Sequence, residues 1–196
     1  MADVWRVLAL LCVTAALASV PGVAAGPGEG EGVGEPKPGS NPLGDALIVP
    51  GQRVGLARLA MTVEQISAAV GRAPKRTEFP QEGIVLHEWR AEGLWVSVSL
   101  QTKAIRVISA FGTSDKYRTD KGVNLLHPRS KVEEAYGKGY KEYVYTKEEI
   151  TLLRYHDLGL QFGLVNRPSQ GPVHNRIFQI GVFKPGDLVP VRPPAP

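Results

Sequence analysis

The sequence predicts an α+β fold of two tandem repeats, in which a short helical element packs on one face of an antiparallel β-meander. Three observations support this prediction. Similar residues recur at a spacing of 66, each copy opens with a short amphipathic pattern that stops at a glycine, and alternating apolar segments follow. A helix that covers one face of a meander leaves its other face open.

The repeat is defined by glycines and aromatic residues that match between the copies, namely Gly71 with Gly137, Trp89 with Tyr155, and Gly93 with Gly159. The spacing rises to 72 at the last strand, because the polar loop 166–175 is six residues longer than its counterpart. Insertions in such loops are tolerated. The repeats are therefore expected at 46–112 and 113–186.

Each repeat is expected to begin with a helix. Thr62 and Gln65 can form a capping box at the start of the first helix, and Gly71 can end it. For the second helix, which ends at Gly137, both Pro128 and Ser130 are possible starts. Three strands then follow in each repeat, at 84–90, 94–100 and 105–111 in the first and at 150–156, 160–165 and 177–183 in the second.

The first 25 residues have the pattern of a signal peptide. Residues 7–17 form an apolar stretch too short to span a bilayer, and small residues precede a cleavage position after Ala25. Residues 26–45 are a Gly/Pro/Glu spacer expected to be disordered, and 187–196 form a Pro-rich tail. We expect a secreted or periplasmic protein with no integral membrane segment after removal of the signal peptide.

The sequence offers little for catalysis. Its single cysteine, Cys12, lies in the signal peptide, so the mature chain is expected to form no disulfide. The four histidines lack metal-ligand spacing, and neither a serine-nucleophile elbow nor a phosphate-binding glycine loop is present. We therefore expect a protein that is not an enzyme and that uses no metal or cofactor.

Alternation over 94–100 places Trp95 and Ser97 on the face opposite Leu94 and Val96. Trp95 is then either an exposed binding residue among small neighbours or a core residue at the junction of the repeats. His87, on the neighbouring strand, is a further candidate for partner binding. Trp89 and Tyr155, which match between the repeats, are also candidates, and a shared packing role is the alternative for this pair.

Charge suggests a second class of partner. Residues 46–186 contain 20 Lys/Arg and 13 Asp/Glu, a formal charge of +7. Arg72, Lys75 and Arg76 form a small basic cluster after the first helix, which is either an anion site or a solvated loop. An anionic envelope polymer or lipid headgroup is therefore the alternative to a protein partner.

Short glycine-based motifs in both copies resemble a known family. They are PGQRVG (50–55), MTVEQI (61–66) and VGRAP (70–74) in the first copy, and YRTDKGV (117–123), KV (131–132) and AYG (135–137) in the second. Over 46–184 the chain resembles the tandem repeat family of SmpA/OmlA-like outer-membrane assembly lipoproteins and β-lactamase-inhibitor-like proteins.

The resemblance implies a short helical hairpin on an antiparallel sheet in each repeat, with the open face of the sheet used for protein contact. It supplies no catalytic residues. The chain lacks the inhibitor's cysteines and a convincing lipobox for the lipoproteins. The function expected from residues and resemblance together is a non-catalytic protein-binding module of the bacterial envelope or exterior.

Overall fold

Two α-helices and two β-sheets make up the part of the chain that the computed structural model describes, residues 45–113 and 115–187. The predicted α+β class is confirmed. The predicted signal peptide at 1–25, the spacer as far as residue 44 and the tail from residue 188 lie outside the described residues. Asp45 belongs to the fold, since its carboxylate binds Arg53 at 2.8 Å.

The elements follow one another in this order: β1 (Leu47–Val49), β2 (Arg53–Val54), β3 (Ala57–Arg58), α1 (Val63–Val70), β4 (Lys75–Phe79), β5 (Ile84–Trp89), β6 (Leu94–Ser99), β7 (Ile105–Phe111), β8 (Arg118–Thr119), α2 (Arg129–Tyr136), β9 (Lys141–Tyr145), β10 (Ile150–Tyr155), β11 (Leu160–Val165) and β12 (Ile177–Val182).

The larger sheet is antiparallel and has eight strands, in the order β4-β5-β6-β7-β12-β11-β10-β9. Its centre is the pairing of β7 with β12, in which Ile108 lies opposite Val182 and Phe111 opposite Gln179. The smaller sheet has the order β3-β2-β1-β8, with β1 parallel to β8. Strands β4 and β9 are therefore the two edges of the larger sheet.

Both helices have the expected ends. The capping box of Thr62 and Gln65 is present at the start of α1, and Gly71 ends the helix in the left-handed region with φ 81°. Helix α2 begins after Pro128, without a side-chain cap, and ends at Gly137. The helical hairpin implied by the resemblance is wrong, because each helix is a single eight-residue element preceded by short strands.

The six strands expected from alternation are confirmed as β5, β6, β7, β10, β11 and β12, each within a residue at its ends. The turns that join β5 to β6 and β10 to β11 depend on Gly93 and Gly159, both at φ 64°. A Cβ at either glycine would meet a backbone carbonyl oxygen, that of Phe111 or Phe183, at 2.8 or 2.2 Å. Strands β4 and β9 were not expected, because charged residues interrupt their alternation.

The main core lies between the helices and one face of the larger sheet. Ile66 and Val70 of α1 and Val132 of α2 pack in one cluster with Leu94, Val96 and other apolar side chains of the sheet. Buried residues of the smaller sheet, such as Ile48 and Val54, belong to the same cluster. The smaller sheet and the helices therefore cover the same side of the larger sheet.

Candidate functional site

The opposite side of the larger sheet is called here the helix-free face. Two apolar clusters lie on it, and within 45–113 and 115–187 neither cluster contains a helix residue. Residues paired directly across antiparallel strands share a face of the sheet. The strand registers therefore identify the residues that lie on the helix-free face. One complete row crosses all eight strands and consists of Lys75, Glu88, Trp95, Ser109, Gly181, Gln161, Arg154 and Lys141.

Trp95 lies on the predicted face but is not exposed. Its side chain is 7 % exposed and stacks on Phe111, with 4.0 Å between ring centroids. The indole Nε1 donates to Glu88 Oε1 at 3.3 Å. The expectation of an exposed binding residue is therefore wrong, and the core alternative is confirmed. Local alternation identified the face correctly but could not reveal the stacking on Phe111, sixteen residues further along the chain.

Ser97 shares this face and is buried as well. It pairs with Leu86 and Val107 on the neighbouring strands. The aromatic cluster around Trp95 continues into the second half of the sheet, where Phe178, Val165 and Ile150 are its buried members. The face therefore carries one packed layer that spans both halves of the chain.

Half-buried aromatic side chains mark the accessible parts of this layer. Phe79 on edge strand β4 and Tyr145 on edge strand β9 both pack against the cluster, as does Phe111. Tyr143, two residues before Tyr145, is also half-buried, and its hydroxyl lies 3.3 Å from His156 Nε2. Sequence reasoning missed these residues, although the alternation in 143–145 is a local signal for them.

A fully buried arginine lies in the central row. Arg154 is 0 % exposed, and its guanidinium lies 3.4 Å from the centroid of the Phe183 ring. Nη1 donates to Gln161 Oε1 at 2.6 Å, and Nη2 donates to the Asp187 carbonyl at 3.0 Å. Burial lowers the pKa of Arg154 to about 10, so the group remains a cation at neutral pH.

Buried amides extend this polar region toward the centre of the sheet. Gln179 Nε2 donates to Ser109 Oγ at 2.7 Å. Gly181 makes the approach possible, because a Cβ there would lie 2.8 Å from Ser109 Oγ and 3.0 Å from Gln161 Cγ. Three polar atoms of the region have no hydrogen-bond partner, namely Arg154 Nε, Gln161 Nε2 and Gln179 Oε1.

The remaining predicted partner residues lie on the other side of the sheet. Trp89 is buried in the main core, and its Nε1 donates to the Arg72 carbonyl at 3.0 Å. Tyr155 is buried in the same core and donates to the Gly137 carbonyl at 2.6 Å. The packing role expected for this pair is confirmed, and neither residue is part of the surface that contains Trp95.

His87 lies on the helix side too, since it pairs with the core residue Val96. Its ring is half-buried, and burial followed by the nearby charge of Arg76 lowers its pKa. The five predicted partner residues therefore divide between two faces and do not form one site.

The three residues of the basic cluster are all exposed, and Arg72 lies in the loop between α1 and β4. Lys75 and Arg76 begin strand β4, and Arg76 forms an ion pair with Glu78. Arg72 pairs with the buried carboxylate of Glu92. Lys75 is exposed on the edge strand. Two of the three cations therefore have a carboxylate partner within the protein, which weakens the interpretation of this cluster as an anion site.

Within the described ranges, no group of three or more His, Cys, Asp or Glu side chains is placed to hold a metal ion. No helix among the same residues is long and apolar enough to cross a membrane.

Comparisons with known proteins give one distant structural neighbour. No family model matches the chain, and no curated protein matches it either. The crystal structure of a DUF4309 family protein (YjgB) from Bacillus subtilis is 14 % identical in sequence, with a TM-score of 0.45, over 68 % of this chain and 88 % of that one.

Proposed function

We propose that this protein is an exported, non-catalytic protein-binding module of the bacterial envelope or exterior, and that its helix-free face is the contact surface. The observation that carries the proposal is the set of half-buried aromatic side chains on that face: Phe79, Phe111, Tyr143 and Tyr145. Aromatic rings provide large contact areas at little cost in side-chain entropy and dominate binding energy at protein interfaces.

The dimensions of the face fit this role. Eight strands at the usual spacing span about 34 Å, and six residues of strand cover about 20 Å. The footprint is roughly 700 Å², and the half-buried aromatic residues are its accessible apolar part. The aromatic cluster extends from edge to edge of the sheet, so one partner can contact both halves at once.

The proposal includes a tandem arrangement, with repeats at 46–112 and 113–186, and the order and spacing of the elements support it. Each helix is followed by four consecutive antiparallel strands. The starts of α2, β9, β10 and β11 lie 66 residues after those of α1, β4, β5 and β6, and β12 starts 72 residues after β7. Pairing of the two last strands then produces a face twice as wide as one repeat offers. The family resemblance of the sequence motifs agrees with this arrangement.

Export rests on the signal-peptide pattern of residues 1–25. If the partner were an anionic polymer, it would bind to positively charged side chains on the protein surface that have no carboxylate partner. Many arginines of the described ranges are paired with carboxylates, and these pairs include Arg53–Asp45, Arg90–Glu88, Arg129–Glu142 and Arg167–Glu149. These pairs reduce the number of free cations but leave the formal charge of +7 over 46–186, so the salt dependence of binding separates the two partners.

Neighbouring residues of strand β9 provide a matched test. Tyr145 lies on the helix-free face, whereas Val144, which is 57 % exposed, points to the opposite side. A protein captured from envelope extract by the full-length chain would be purified, and its dissociation constant measured. Tyr145→Ala is expected to weaken binding at least tenfold, as at an interface hot spot, and Val144→Ala to leave it unchanged.

The polymer alternative gives the opposite result. Binding driven by charge falls steeply as salt increases, and both variants would then bind like the wild type. Equal effects of Tyr145→Ala and Val144→Ala would likewise refute the helix-free face as the contact surface.

A further inference from the structure

A cavity of about 390 Å³ lies on the smaller sheet, between the turn that joins β1 to β2 and the link from β3 to α1. Its lining consists of Gly51, Gln52, Arg53, Arg58, Leu59 and Ala60. Gln52, Arg58 and Ala60 are exposed, so a ligand can reach the cavity from solvent. The volume falls in the range of about 300–1,000 Å³ that is typical of sites for small organic ligands.

Backbone hydrogen bonds hold the walls of this cavity in place. The Gly51 N–H donates to the Gly159 carbonyl at 3.1 Å, which ties the β1–β2 turn to a turn of the larger sheet. The Leu59 N–H donates to the Gln52 carbonyl at 2.9 Å, which joins the two walls to each other. Because the walls are fixed in the free protein, a ligand does not have to order them when it binds.

Two arginines of the lining lie directly opposite each other, Arg53 on β2 and Arg58 on β3. Like charges at such cross-strand positions destabilise a sheet. Asp45 compensates for one of them, since its two carboxylate oxygens both accept from Arg53 at 2.8 Å. These hydrogen bonds lower the pKa of Asp45 to about 2, so the carboxyl is ionised at neutral pH.

Arg58 has no comparable partner. Among residues 45–113 and 115–187 its guanidinium forms no ion pair with a carboxylate. Two arginines and one aspartate leave this group with a net charge of +1. Strand β3 is an edge of the smaller sheet, and the exposed side chain of Arg58 is available to a ligand there.

We propose that this cavity binds a small organic carboxylate, and that Arg58 holds the carboxylate group. The fork of a guanidinium matches a carboxylate. A net charge of +1 suits a monoanion better than a phosphate monoester, which carries about −1.5 to −2. Leu59 provides an apolar wall for the body of the ligand. The cavity is not part of the helix-free face, so this inference is independent of the proposed protein-binding function.

Isovalerate is the probe, because it joins one carboxylate to a branched apolar body. The backbone N–H signals of Gln52, Arg58 and Ala60 in the full-length protein are followed by NMR during titration with sodium isovalerate. Sodium chloride at equal ionic strength and the uncharged isovaleramide are the controls. The signals are expected to shift saturably with isovalerate and with neither control, and inorganic phosphate is expected to bind more weakly than isovalerate.

Variants test the role of each wall. Arg58→Gln removes the cation from an exposed side chain and should weaken isovalerate binding at least tenfold. Arg118→Gln is the matched control, because Arg118 is exposed on β8 at the opposite edge of the same sheet, and it should leave binding unchanged. Leu59→Ala should weaken the binding of isovalerate several-fold and leave that of acetate unchanged. Melting curves establish that each variant is folded.

Three results would overturn the proposal. The first is the absence of a saturable shift with isovalerate, or an equal shift with isovaleramide. The second is an equal loss of binding in Arg58→Gln and Arg118→Gln, which would indicate general attraction of anions by the basic surface. The third is tighter binding of phosphate than of isovalerate, which would show that the ligand class is wrong.

Discussion

At the scale of single residues, the contrast between Trp95 and Arg154 is the most informative. Both lie in the same row across the helix-free face, and both are buried. The indole gains a stacked ring and a hydrogen bond to Glu88, whereas the guanidinium stacks on a ring and donates to the Gln161 amide oxygen and the Asp187 carbonyl. An aromatic residue and a cation are thus buried in the same layer by different contacts.

Trp95→Ala is expected to destabilise the protein by about 3–5 kcal/mol, as truncation of a buried aromatic residue does. The loss combines the stacking on Phe111 with burial in the cluster. Denaturant unfolding measures it, and Ser97→Ala, on the same strand and face, is the control and should change stability only slightly. An unchanged unfolding midpoint for Trp95→Ala would mean that the ring is not packed in solution.

At the scale of elements, the C-terminal ends of α1 and α2 differ in backbone conformation, although each helix ends at a glycine. Gly71 has φ 81° and ψ 11°, a left-handed conformation that other residues adopt at modest cost. Gly137 has φ 73° and ψ −170°, a region that is essentially restricted to glycine. At both positions a Cβ would meet nothing within 4 Å, so the difference lies in the backbone alone.

Gly71→Ala is therefore expected to cost about 1 kcal/mol, and Gly137→Ala about 2–3 kcal/mol. Thermal or denaturant unfolding of the two variants beside the wild type tests the order. Equal losses would indicate that the end of α2 relaxes into the ordinary left-handed conformation.

Much of this element structure could be predicted from the sequence, and the failures have physical causes. The capping box and the inner strands were predictable because their signals are local. Strands β4 and β9 were missed because charged residues at their ends, such as Lys75 and Lys141, suit a solvated edge and break the alternation. The burial of Trp95 and of Arg154 depends on residues distant in sequence, such as Phe111 and Phe183, which no local pattern reveals.

At the scale of the whole molecule, the pairing of β7 with β12 joins the two halves into one sheet. Separation of the halves would expose both central strands as unpaired edges. Each half contains about 70 residues, a size at which a single core is marginal.

A chain divided at residue 113 is therefore expected to fold only when both parts are present. Residues 1–113 and 114–196, expressed separately, should lack the native circular dichroism spectrum and regain it after mixing. A cooperative unfolding transition in either part alone would show that the halves are independent.

The strand order also determines the sequence of events during synthesis. Strand β12 is the last strand in chain order among the described elements, yet it occupies a middle position between β7 and β11. Until β12 is available, the chain carries two incomplete sheets, with β7 and β11 as unprotected edges. The interval before β12 joins them is consequently the period of greatest risk of aggregation, and this strand removes both exposed edges at once.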